Sequence, residues 1–136
     1  MKHVSDGDTL VLGDGRKVRL LGVDTPEMFD VSRNRQNATR NHLDAKTVQR
    51  FAEEAKRFAR EAVEGKTVRL EYDWQREDKY GRTLAYVFRE PDGYFLNAEL
   101  LKQGYAFAYL YFFFKRSDEF RKYAQEARLE KRGLWK

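Results

Sequence analysis

Two acidic clusters flank Arg19 near the start of the chain: Asp6-Gly7-Asp8 before it and Asp24-Thr25-Pro26-Glu27 after it. Carboxylates gathered around one guanidinium suit a hard divalent cation facing a phosphate. Oxygen donors hold such an ion, and the arginine fork matches phosphate oxygens. Each cluster also has a plainer reading. Asp-Gly alone is an ordinary turn, and that reading suffices for Asp6-Gly7-Asp8 taken by itself, although an extended backbone would put both carboxylates on one face. Helix capping would explain one acid of the second cluster, but no helix follows it directly. An EF-hand does not fit: counted from Asp6, its glycine position holds Val11 and its twelfth position Lys17.

A second arginine, Arg82, closes the segment Lys79-Tyr80-Gly81-Arg82. Alone this is a common turn. It gains chemical meaning if Arg82 reaches the same place as Arg19, because two arginine forks could grip a phosphodiester from two sides.

Composition limits the alternatives. The 136 residues include no cysteine and two histidines, His3 and His42. Disulfides, thiolate nucleophiles and cysteine-bound zinc are therefore excluded, and any metal must be held mainly by oxygen. Both histidines read as surface residues. The net charge of +5 and a pI near 9.4 are compatible with a polyanionic partner and equally with a highly charged surface. No apolar run approaches a membrane span, and MKHVSDGD holds no signal-type apolar stretch. The compartment stays open, because a leader could have been removed before this numbering.

The elements that must position these residues follow from pattern. Asp8 to Leu12 and Arg16 to Val23 read as a hairpin around Gly13-Asp14-Gly15. In a regular strand Arg19 and Asp24 would face opposite ways, so a shared site requires a bend, for which Gly22 is best suited. Met28 to Leu43 reads as a long loop. Asp44 to Glu64 is helical, with Val48, Phe51, Ala52, Ala55, Phe58, Ala59 and Ala62 on one face and Gly65 just past the end. Val68 to Tyr72 and Thr83 to Arg89 read as strands. Asn97 is the expected cap of a short helix ended by Gly104, and Ser117 of a last helix closed by Gly133. Phe51, Phe58, Phe88 and Phe120 are assigned to the core, and Trp135 to packing of the C-terminal tail. The order of elements is α+β, in one domain over residues 1–136.

Asp6-Gly7-Asp8-Thr9, Arg19 through Glu27, and Asp78-Lys79-Tyr80-Gly81-Arg82 together resemble the signature of the thermonuclease family (staphylococcal-nuclease-like). The likeness continues through Glu54-Ala55, Asn97-Ala98-Glu99-Leu100, Gln103-Gly104, Tyr109-Leu110-Tyr111 and Gly133-Leu134-Trp135. It implies a five-stranded OB-fold β-barrel with three α-helices, and calcium-dependent hydrolysis of DNA and RNA leaving 3′-phosphates. Carried over by position, Asp8 and Asp24 resemble the calcium-binding carboxylates, with Thr25 supplying its backbone carbonyl. Asp6 matches an acid just outside the ligand set. Glu27 resembles the general base or water-orienting carboxylate, and Arg19 and Arg82 resemble the catalytic phosphate-binding arginines. Lys79, Tyr80, Tyr109 and Tyr111 resemble the lining of the nucleotide pocket. A monomer and no membrane partner are implied, and secretion fits the resemblance.

The sequence departs from the family pattern in three places. Only Met1 to Ser5 precede the first acidic cluster, where a longer strand is usual, so a trimmed chain or a shortened barrel edge is expected. Met28 to Leu43 does not align residue for residue. Phe112-Phe113-Phe114 has no counterpart, and at least one exposed ring is expected there, as a protein-interaction surface would need. The main rival is a non-catalytic OB-type nucleic-acid-binding module. Loss of acids or arginines would be expected in such a module, and none is lost here.

Overall fold

The computed structural model describes residues 1–26, 45–110 and 114–136. The expected loop from Met28 to Leu43, Glu27, His42, Tyr111, Phe112 and Phe113 lie outside the described residues.

The first hairpin forms as the alternation predicts. Strand β1 (His3–Asp6) pairs antiparallel with β2 (Thr9–Val11). In turn β2 pairs with β3 (Lys17–Leu20), Thr9 facing Arg19. Leu10, Val18 and Leu20 point into the core and are fully buried. The acids Asp6 and Asp8 are not neighbours on one extended strand, because residues 7 and 8 form the turn between β1 and β2. The turn reading of Asp-Gly therefore holds.

At Gly22 the chain bends. This residue has φ +79°, a left-handed conformation that side-chain-bearing residues adopt at a cost of about 1–2 kcal/mol. A Cβ here would also lie 2.7 Å from the rings of Phe114 and Phe120. The short β4 (Val23–Asp24) follows the bend. The first long helix, α1 (Ala45–Val63), buries Val48, Phe51, Ala52, Ala55, Ala59 and Ala62. Phe58 is half-buried and packs on the core edge.

Beyond α1, β5 (Val68–Glu71) pairs antiparallel with β6 (Thr83–Arg89), and β6 also pairs with β7 (Tyr94–Phe95). Strand β6 joins β3 in parallel, Arg19 facing Leu84. The resulting order is β1-β2-β3-β6-β5 with β7 on β6, and a second pair joins β4 to β8 (Phe107–Ala108). Among the described residues there are thus eight strand segments rather than five. The principal sheet does not close among the described residues: no ladder joins β1 to β5. At that gap the Met1 backbone exchanges hydrogen bonds with residues 65 and 66. With α1, helices α2 (Leu96–Lys102) and α3 (Ser117–Leu129) make three α-helices among the described residues, and the fold is α+β.

Two expected caps are corrected. The residue before α2 is Phe95, and Asn97 lies inside the helix, fully buried. Its Oδ1 accepts from Val87 N at 2.9 Å, and its Nδ2 donates to Leu21 O and Ala85 O at 2.9 and 3.2 Å. Asn97 thus satisfies main-chain groups that β3 and β6 leave over inside the core. Likewise Ser117 is the first residue of α3, after Arg116, and caps nothing with its side chain. After α3 both Lys131 (φ +54°) and Gly133 (φ +53°) take the left-handed conformation, Lys131 being the nearer to the helix end.

The aromatic assignments hold for Phe88 and Phe120, which are buried. Phe114, the one described ring of the phenylalanine triplet, is also buried. It meets Phe120 edge-on at 5.6 Å between ring centres. Trp135 docks edge-on against Phe107 at 5.8 Å and anchors the tail beneath α1 with Val48, Phe51 and Leu134.

Candidate functional site

The turn after β1 delivers Asp8, and the bend at Gly22 delivers Asp24 and Thr25, to the neighbourhood of Arg19. All are buried: Asp8 is 2%, Asp24 4% and Thr25 0% exposed. Arg19 Nη2 lies 3.5 Å from Asp8 Oδ2 and 3.9 Å from Asp24 Oδ1. Its Nη1 donates to Leu20 O at 2.7 Å. Asp8 is held on both oxygens, Oδ1 accepting from Thr9 Oγ1 at 3.2 Å and Oδ2 from Thr25 N at 3.0 Å. Reversal of the chain at Gly22 thus brings Asp24 to the side Arg19 occupies, as the parity argument requires.

Asp6 stands half-buried beside this group. Burial first, and then the charge of Asp8, push its carboxyl above the usual range, against the opposing charges of Lys56, Arg82 and Arg19. Two buried carboxylates share one guanidinium, and a third acid stands within their field. Among the described residues the group thus sets three carboxyls beside one guanidinium, hard oxygen donors of the kind a divalent cation takes. The Thr25 hydroxyl is buried with no hydrogen-bond partner, a further oxygen available at the same place. No cluster of three or more Asp, Glu or His occurs among the described residues.

Arg82 reaches the site from the other wall. Gly81, with φ +78°, turns the chain so that Asp78 and Arg82 face one another. Asp78 Oδ2 accepts from Arg82 Nε at 2.7 Å, and Oδ1 accepts from the backbone N–H groups of Tyr80 and Arg82 at 2.9 and 3.0 Å. Burial raises the Asp78 carboxyl, but these hydrogen bonds and the Arg82 charge outweigh it and hold it below its ordinary value. Among the described residues no hydrogen bond or ion pair claims Nη1 or Nη2 of Arg82.

A cleft of ≈ 410 Å³ lies between the two arginines. Arg19, Arg82, Lys79, Tyr80 and Tyr109 line it together with Gln75 and Asp78. Tyr80 is 71% exposed, with Lys79 Nζ 5.2 Å and Arg82 Cζ 5.5 Å from its ring centre. Tyr109 faces Arg19 Cζ at 5.9 Å. Of the residues singled out from sequence, Arg19, Arg82, Lys79, Tyr80 and Tyr109 line the cleft, Asp8 and Asp24 adjoin it through Arg19, and Glu27 and Tyr111 lie outside the described residues. Sequence reasoning assigned no role to Asp78 or Gln75. An acid four residues before an arginine, with glycine between, was the available signal for Asp78.

Residues 17–136 match the family described as Staphylococcal nuclease homologue, and the chain belongs to that family. Among its relatives is a thermonuclease of Staphylococcus intermedius, 37% identical over 96% of this chain and 68% of its own length. An endonuclease of Bacillus subtilis, YncB, is 40% identical over 96% of this chain and 57% of its own. An uncharacterized protein of Methanocaldococcus jannaschii is 39% identical over 97% and 68% respectively.

Proposed function

We propose that the chain is a calcium-dependent nuclease that hydrolyses DNA and RNA to 3′-phosphate products, on a scaffold of OB-barrel type. The observation that carries this reading is the convergence of Arg19 and Arg82 on one cleft beside a buried pair of carboxylates. That arrangement matches a scissile phosphodiester, whose charge is greatest in the transition state and is stabilised there by prepositioned donors.

Asp8, Asp24 and the Thr25 carbonyl would hold the metal, with Asp6 adding negative charge behind them. A bound calcium ion supplies Lewis-acid polarisation of a phosphate oxygen and helps to place the attacking water. Arg19, already desolvated and oriented by Leu20 O, offers its remaining donors to the phosphate. Arg82, braced by Asp78 through Nε, offers its Nη donors to the opposite oxygens. In this reading Glu27 accepts a proton from water or orients it, a role carried by its match to the family signature. Lys79, Tyr80, Tyr109 and Tyr111 bind the nucleotide through charge and ring stacking.

The test is to incubate end-labelled single-stranded DNA and RNA with the protein in calcium and in chelator, and to identify the new ends. Calcium-dependent cleavage leaving 3′-phosphates is expected. Binding in both conditions without cleavage in either would instead identify a non-catalytic nucleic-acid-binding module.

A further inference from the structure

Outside the cleft, on the segment that leaves β5, two large rings face solvent. Tyr72 and Trp74 are 38% and 63% exposed. Between them Asp73 turns inward and is buried. Its carboxylate accepts from Tyr86 Oη at 2.5 Å, from Trp74 N at 2.7 Å and from Lys115 N at 2.8 Å. This anchor ties the Trp74 N–H, through Asp73, to Tyr86 of β6 and to Lys115, so the backbone that carries the indole is held to the core. Each ring has a cation beside it: Lys115 Nζ lies 5.5 Å from the Trp74 ring centre and Arg76 Cζ 4.7 Å from that of Tyr72. Neither Lys115 nor Arg76 forms an ion pair among the described residues. The next residue in the chain, Gln75, is part of the cleft wall, and successive Cα atoms are about 3.8 Å apart.

Exposed rings with a cation beside each, carried on the Asp73 anchor and continuous with the cleft that Arg19, Lys79 and Arg82 line, fit the stacked bases and backbone phosphates of a single-stranded polynucleotide. An apolar protein partner would leave those two cations facing apolar surface. We propose that Trp74, with Lys115, Tyr72 and Arg76, is a base-stacking subsite for the stretch of single-stranded substrate that extends beyond the cleft past Gln75. The proposal rests on the nuclease reading and adds to it a preference for longer single strands.

Trp74 and Trp135 are the only tryptophans in the chain, and Trp135 is packed on Phe107, so indole emission reports on the subsite. The experiment compares the full chain with Trp74→Ala and Trp74→Phe, using labelled ten-residue oligo(dT) and a dinucleotide. Binding is followed by anisotropy in chelator at low salt, emission is followed in the same titration, and cleavage is followed in calcium. Expected are quenching of the parent's emission by oligo(dT), loss of that quenching in Trp74→Ala, and about tenfold weaker binding by the Ala variant. The Phe variant should recover most of the affinity. For cleavage, KM for the ten-residue strand should rise about tenfold in Trp74→Ala with kcat unchanged, while the dinucleotide is cleaved as by the parent. A parent that binds and cleaves oligo(dT) with unchanged emission, and an Ala variant equal to it, would overturn the subsite and leave the nuclease reading standing. The face would then be assigned to a different class of partner. A parent that neither binds nor cleaves would overturn both.

Discussion

Asp78 grips Arg82 by both its side chain and its backbone, one carboxylate oxygen on Nε and the other on the Arg82 N–H. The guanidinium is thereby set at a fixed angle to the cleft, with its two terminal nitrogens unclaimed by Asp78. Replacing Asp78 with Ala leaves Arg82 in place as a residue but frees its side chain to rotate. Small displacements of a positioned group cost rate steeply. The single-turnover cleavage rate is expected to fall on the order of 10–100-fold. Asp78→Asn, which keeps the size and one of the two acceptor oxygens, should lie between the two. Equal rates for Asp78→Ala and the parent would show that Arg82 needs no brace.

The buried carboxylates make a second prediction. Asp24→Asn removes one charge from the proposed oxygen set while preserving its shape. The calcium concentration giving half-maximal cleavage should rise by roughly tenfold or more, since ligand charge tunes calcium affinity over decades. Calcium titration calorimetry on the same variant gives a readout independent of turnover. An unchanged midpoint by both methods would remove Asp24 from the metal site.

Asn97 supports a prediction about stability. Truncation to Ala leaves Leu21 O and Val87 N without their side-chain partner, while Ala85 O still accepts from Leu21 N at 3.0 Å. Two buried main-chain groups without partners cost about 1–3 kcal/mol each. Urea unfolding should therefore show a loss of roughly 2–6 kcal/mol, read from the midpoint at constant slope. A loss below roughly 1 kcal/mol would mean that water or relaxation replaces the amide.

Acid sensitivity follows from Asp73. Burial raises its carboxyl, but the hydrogen bonds from Tyr86, Lys115 N and Trp74 N together leave it below its ordinary value. A carboxyl lowered in the folded state adds stability that is fully present above the unfolded value, about 3.9. That contribution is lost as pH falls through the lower folded value. The parent should accordingly lose stability below about pH 4 more steeply than Asp73→Asn, which no longer titrates. Parallel unfolding curves for the two proteins from pH 5 down to pH 2 would contradict this account.

How much of this was legible in the sequence depended on whether the governing contacts were local. The hairpin, the apolar face of α1 and the bend at Gly22 all came from spacing and parity, and the backbone at Gly22 does what parity demanded. The caps failed for a physical reason. Asn97 has a good local alternative as a helix cap, but the groups that claim it come from β3 and β6, and Leu21 is 76 residues away. Helix-start chemistry cannot see such partners. Asp73 was passed over for the same reason, since its acceptors serve Tyr86 and Lys115. The turn between β1 and β2 separates Asp6 from Asp8 by geometry, while Arg19 lies 3.5 Å from Asp8 and 3.9 Å from Asp24. Opening of the principal sheet between β1 and β5 had only the short first strand as its sign.

The contact of Gly22 with the Phe114 and Phe120 rings has a consequence for dissecting the molecule. Every described residue of the cleft and of the carboxylate group lies at or before Tyr109, so a fragment ending there would contain them all. It would lack the two rings against which the Gly22 backbone is seated. Without that backing the turn loses its steric stop, and Asp24 loses its fixed approach to Arg19. The C-terminal aromatic segment, which contributes no group to the described cleft, is therefore needed to set the carboxylate spacing. Complementation by a separate peptide carrying Phe114 through α3 would have to restore that seating before it restored the site.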